Sequence, residues 1–120
     1  MISHNLSLGD QGEDLACTYL EKKGYTIREK KWRSKIGEID IIAEKNGVFV
    51  FVEVKTRGST FFGYPEEAVT ETKSRHLIRT TELYCQYKNI NAPYRIDVIA
   101  IISSRAGSPE IVHIEDITGA

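Results

Sequence analysis

The sequence predicts a small α/β domain, a three-layer αβα sandwich around a central mixed sheet of about five strands. Three observations predict it. Helical and strand-like segments follow one another in the order helix, three strands, helix, two strands. The two runs flanking Asn46-Gly47 are apolar on both faces near their turn, as expected of a sheet covered on both sides. The chain has 120 residues and 13.6 kDa, 41% hydrophobic and 28% charged, which fits one domain (residues 1–120) with its own core.

Leu15, Ala16, Tyr19 and Leu20 recur at helical spacing, predicting a helix from about Gly9 to Lys23 that Gly24 stops. Asp10, three residues ahead of Glu13, reads as its N-cap in a near capping box. Tyr25 to Arg33 is charged and loosely alternating, which suits an edge strand. Gly37–Lys45 and Val48–Thr56 are strand-like and joined by Asn46-Gly47, a strong hairpin signal. Arg57 to Pro65 is a loop that carries Phe61, Phe62 and Tyr64; these either stack on bases or pack as the loop's own small core. Glu66 to Lys88 is helical in composition with a break near Thr70, and Tyr94–Ser103 and Glu110–Ile117 complete the strands around an Ala106-Gly107-Ser108-Pro109 turn.

A formal net charge of −1 excludes a uniformly basic coat protein but leaves room for a local basic face. No run approaches the ~18 apolar residues of a membrane span, and the N-terminus lacks a secretory pattern. A cytoplasmic protein with no membrane partner is expected. Cys17 and Cys85 stand far apart, and His4, His76 and His113 are scattered, so neither a zinc site nor a redox pair is predicted.

The chemistry lies in the hairpin. With a two-residue turn at Asn46-Gly47, Asp40 faces Glu53 and Glu38 faces Lys55, and alternation turns all four to one side of the sheet, with Ile39 and Val54 on the other. Two facing carboxylates in apolar surroundings repel. A divalent cation would compensate them, since Mg²⁺ takes oxygen ligands and keeps waters for a phosphate substrate. Lys55 is placed to orient or deprotonate such a water. The bland alternative is a cross-strand Glu38–Lys55 ion pair with Asp40 held by an arginine.

Gly37-Glu38-Ile39-Asp40 followed by Val52-Glu53-Val54-Lys55-Thr56-Arg57 resembles the PD-(D/E)xK nuclease core of restriction-endonuclease-like folds and Holliday junction resolvases. More narrowly, the chain is similar to the YraN-like family of small bacterial proteins assigned to that fold. Gly12-Glu13, Ala16 and Tyr19-Leu20 match its first helix, Trp32-Arg33 its following strand, and Arg95-Ile96-Asp97-Val98 its late strand. Lys31 departs from the pattern, which has Asn before Trp-Arg. The resemblance implies that Asp40 and Glu53 bind Mg²⁺ or Mn²⁺, that Lys55 is the catalytic lysine, and that Glu13 adds a carboxylate from the first helix. It also implies DNA rather than RNA as substrate.

Residues 21–35 hold seven Lys/Arg against two Glu, and the second helix adds Lys73, Arg75, Arg79 and Lys88, suggesting one face suited to a phosphate backbone. Arg57, Lys73, Arg33 and Arg79 are the candidate nucleic-acid contacts. Trp32 is expected to be buried and Asp97 to pair with Arg95. The expected function is a metal-dependent endonuclease-like phosphodiesterase acting on nucleic acid. The alternatives are a non-catalytic binding module of the same fold and an interaction scaffold. Cutting both strands of a duplex would call for a symmetric homodimer of so small a chain.

Overall fold

In the computed structural model, residues 7–58, 64, 67–72, 75–103 and 107–118 are described. Helix α1 (Leu8–Lys22) leads into strands β1 (Thr26–Ser34), β2 (Gly37–Lys45) and β3 (Val48–Arg57). Helices α2 (Glu67–Thr72) and α3 (Arg75–Tyr87) and strands β4 (Tyr94–Ile102) and β5 (Glu110–Ile114) follow. The described part of the expected second helix comprises Glu67–Thr72 and Arg75–Tyr87. The five strands lie in the order β1-β2-β3-β4-β5, with only β3 and β4 parallel. The sheet is mixed, and β1 is an edge strand as its charge pattern predicts.

Each face carries its own apolar layer. Ala16, Cys17 and Leu20 of α1 pack on Ile41, Ala43, Val50, Val52, Ile99 and Ile101. Ala68 of α2 and Leu77 and Tyr84 of α3 pack on Ile39, Ile42, Phe51, Ile96, Val98 and Ala100. Full burial of such an aliphatic side chain contributes roughly 1.5–3 kcal/mol, so these two layers supply the main driving force for the sandwich. Trp32 is half-buried, edge-on to Tyr84 at 5.1 Å between ring centres, and extends the second layer to the sheet edge.

The turn is of the kind predicted: Asn46 and Gly47 both take positive φ (53° and 79°), as a type I′ hairpin requires. The N-cap of α1 is Ser7, whose Oγ accepts the Asp10 N–H at 3.1 Å. Asp10 is therefore a first-turn acid and not the cap, which removes the capping-box explanation for Glu13. Gly12 allows α1 to sit close on the sheet: a Cβ there would lie 2.2 Å from Thr56 Oγ1. Both cysteines are free, and burial pushes each thiol's pKa up, which suits inert packing residues.

At the far edge, Asp97 is fully buried on β4 and meets Arg95 Nε at 3.0 Å, His113 Nε2 at 2.7 Å and the Asp116 N–H at 2.9 Å. Burial alone would raise its pKa, but His113, the Asp116 N–H and Arg95 together hold it below the ordinary value. The Asp97–Arg95 pairing expected from the sequence is present. The tie to His113, which also meets the Tyr19 hydroxyl at 3.2 Å, fastens β5 and α1 to β4.

Candidate functional site

The β2–β3 ladder keeps the predicted register from Lys45–Val48 to Ile41–Val52 and ends there. Beyond that point β2 stays paired with β1 down to Gly37, and β3 with β4 out to Arg57. The two strands part, and Asp40 and Glu53 are the first residues inside the fork. The Val54 N–H is taken by Asp40 Oδ2 at 2.8 Å, a side chain in place of a backbone carbonyl.

The fork has a local cause on β1. Lys30–Ile41 and Trp32–Ile39 are paired, but Lys31 and Asp40 between them are not, and Lys31 takes φ 52°. A left-handed residue breaks strand alternation. Ile41 consequently packs with the α1 layer and Ile39 with the α2/α3 layer. Val54 belongs to the α1 layer, so the expectation that Ile39 and Val54 share a face is corrected.

Asp40 is buried at 7% exposure and lies between two sets of charges. Glu53 and Glu38 act on it from one side and Lys31 from the other, and its own charge acts in turn on Glu13. Burial is the main reason its pKa is raised, with Glu38 adding repulsion and the Val54 N–H opposing. Glu53 is pushed up to about 8, first by burial and then by the Asp40 charge, with Lys55 opposing. Burial and the neighbouring Asp40 charge thus make Glu53 hold its proton more tightly than a free carboxyl does.

Glu53 and Lys55, with Glu38 and Gly37, line a cavity of about 180 Å³ that opens toward α2 and α3. The Glu38–Lys55 ion pair, the bland alternative to a metal site, is not formed. Glu38 instead reaches Arg33 at 3.4 Å on the neighbouring strand, which leaves Lys55 facing Glu53 in the cavity wall.

Glu13 approaches from α1. Burial raises its pKa, against the pull of Lys31 and with a further push from Asp40. Its Oε1 is sealed from solvent without a well-directed hydrogen bond, and Lys31 Nζ stands 3.2 Å away. The same ammonium pairs with Asp10, and these two carboxylates raise the lysine's pKa above its ordinary value. Among the described residues, no three acidic, imidazole or thiol side chains converge tightly enough to share one ion. Asp40 and Glu53 are brought together; Glu13 is near them but engaged by Lys31.

The basic stretch of residues 21–35 is largely neutralised. Arg28 pairs with Glu44, Lys30 with Asp14, Lys31 with Asp10 and Glu13, and Arg33 with Glu38. Arg79 is exposed on α3. Arg57 ends β3, and its guanidinium reaches the Thr56 carbonyl at 3.3 Å. Lys73, Phe61 and Phe62 lie outside the described residues, and Tyr64 is 76% exposed. No described helix is long and apolar enough to cross a membrane.

Sequence reasoning missed Lys31 as a member of the site and Thr72, Leu77 and Thr80 as its far wall. A pattern-breaking residue before Trp32 was the available signal for Lys31. No signal marks the wall, because the approach of α2 and α3 to β2 is a tertiary event.

Residues 12–101 match the family model described as "Uncharacterised protein family UPF0102". Similar chains include the UPF0102 protein of Caldicellulosiruptor saccharolyticus, 50% identical over 95 residues that cover 78% of this chain and 80% of that one. A UPF0102 protein of Persephonella marina is 46% identical over 97 residues, 80% of this chain and 84% of its own. One from Bacteroides fragilis is 43% identical over 116 residues, 97% of this chain and 94% of the relative. With agreement of this extent, the chain belongs to the UPF0102, or YraN-like, family.

Proposed function

We propose that this protein is a divalent-metal-dependent phosphodiesterase acting on nucleic acid, with DNA the favoured substrate. The observation that carries the reading is the Asp40–Glu53 pair at the strand fork, a buried carboxyl beside a partly buried one with both pKa values raised, with Lys55 two residues further along β3. The likeness of the hairpin to PD-(D/E)xK nucleases supports the same reading.

The donor set fits a hard cation. Both groups are oxygen donors, and Mg²⁺ is commonly held by one or two carboxylates with water and substrate phosphate completing its shell. Asp40 and Glu53 would hold it as carboxylates, so that binding would draw protons off the pair. Bound there, Mg²⁺ or Mn²⁺ would supply Lewis-acid stabilisation of the charge developing on the phosphate. Lys55, on the cavity wall beside Glu53, would orient the attacking water and stabilise the hydroxide formed from it, the proton passing to solvent. The Val54 N–H fixes one Asp40 oxygen and leaves the other for the ion. Arg57, Arg79, Arg33 and Lys73 would meet the phosphate backbone. Arg33 would exchange Glu38 for a phosphate, a small cost for so exposed a pair. Cleavage of both strands would use a homodimer.

A non-catalytic nucleic-acid-binding module is the second reading, favoured by one observation: Lys31 keeps Glu13 out of the carboxylate set. A cleavage panel over linear, nicked, flapped and four-way DNA and RNA, with Mg²⁺ and Mn²⁺, separates the two. Metal-dependent cutting that Lys55→Ala abolishes while binding persists is expected. Binding without cutting under any metal would establish the module, and neither binding nor cutting would overturn both.

A further inference from the structure

We infer that the cavity beside Glu53 and Lys55 is a subsite for one unpaired nucleobase next to the scissile phosphate; this rests on the phosphodiesterase reading above. The cavity extends from the site to the inner faces of α2 and α3, where neither metal nor catalytic lysine has a use for it. Its volume of about 180 Å³ suits one base and not a base pair.

Its lining suits a neutral, flat ligand with polar edges. Leu77, 6% exposed, supplies an apolar surface. Thr72, 5% exposed, carries a buried hydroxyl with no hydrogen-bond partner. A native structure rarely leaves such a group unpaired without a use for it, and the edge of a base offers both donors and acceptors. Thr80 already donates to the His76 carbonyl at 2.5 Å, so its hydroxyl oxygen is left as an acceptor. His76, exposed on α3 at this cavity, offers a ring on which a base can stack. The Thr72, Leu77 and Thr80 end of the cavity is lined by uncharged groups, which suits a base better than a phosphate.

The cavity exists because Gly37 opens β2. A Cβ at that position would stand 2.6 Å from Thr80 Oγ1. Glycine thus lets α3 close on the start of β2 while leaving the floor free of side chain.

The inference predicts a preference for nucleic acid with unpaired bases, since entering the cavity requires a base outside the stack. The test uses single-stranded oligonucleotides containing 4-thiothymine and a terminal fluorophore, with Ca²⁺ as a non-cleaving cation. Anisotropy reads overall binding, and ultraviolet cross-linking with peptide mass mapping reads where the base sits. Cross-links to His76 or Leu77 are expected in the wild type. Thr72→Val, nearly isosteric, should lower their yield several-fold with little change in anisotropy. Gly37→Ala should do the same if it folds. Binding with cross-links confined to other segments, or cavity cross-links that Thr72→Val leaves unchanged, would overturn the subsite and leave the phosphodiesterase reading standing. Absence of any binding would overturn both.

Discussion

Replacing Glu53 by glutamine tests the raised proton affinity at the fork. The Glu53 carboxyl rises from 4.5 to about 8, mainly through burial. A group whose folded pKa is raised contributes stability that is complete below the unfolded value and is lost as pH rises through the folded one. The window is therefore from about pH 4.5 to about pH 8. At ~1.4 kcal/mol for each tenfold change in proton affinity, the limiting penalty at high pH is about 5 kcal/mol. Glu53 is only partly buried and faces Lys55, so screening reduces this to ~2 kcal/mol. Glu53→Gln keeps the shape and removes the titration. Urea denaturation across this window should show equal stability near pH 4.5, with the variant more stable by ~2 kcal/mol near pH 8. Saturating Mg²⁺ should restore the wild type at high pH, release protons when added below about pH 8, and leave the variant unmoved. A stability difference between the two proteins that stays constant across the window would refute the buried-pair reasoning, since other titrating groups cancel in the comparison.

Three further perturbations follow from the structure. Lys31→Asn removes the ammonium that engages Glu13 and places at φ 52° a residue that tolerates it better; calorimetric titration should show tighter Mn²⁺ binding, and unchanged or weaker binding would deny that Lys31 holds Glu13 away. Asp97→Asn should destabilise by about 3 kcal/mol because it removes the buried counter-charge of Arg95 and a carboxylate oxygen that meets His113 Nε2. Since the Asp97 pKa is lowered, its contribution is present above the unfolded value of 3.8 and fades as pH falls below it; melting at pH 7 and pH 3 checks both the size and the sign. Gly12→Ala should lower Tm despite the ~1 kcal/mol gain in helix propensity, because its Cβ would sit 2.2 Å from Thr56 Oγ1. Adding Thr56→Ala should recover the loss, and simple additivity of the two changes would argue against the contact.

Architecture and hairpin register were legible in the residues alone. Periodicity and turn chemistry are local, so Asn46-Gly47 set the pairing down to Ile41 with Val52, and Asp40 and Glu53 follow directly beyond it. The UPF0102 membership was legible in the same motifs. Its limits were equally physical. A helix cap depends on which hydroxyl meets the first free N–H, and Ser7 took the place read for Asp10. Strand alternation assumes continuous extended backbone, and the left-handed turn of Lys31 cancelled it at Asp40, placing Ile39 and Val54 on opposite faces. Ion pairing is settled by distance in space, so the basic run from Lys22 to Lys35 could not be known to spend much of its charge on Glu44, Asp14, Asp10, Glu13 and Glu38. The placing of Lys31 beside Glu13, and of Thr72, Leu77 and Thr80 in one cavity with Lys55, came from packing in three dimensions. Those contacts join segments distant in sequence, and their geometry follows from how α1 and α3 settle on opposite faces of the sheet, which no local pattern encodes.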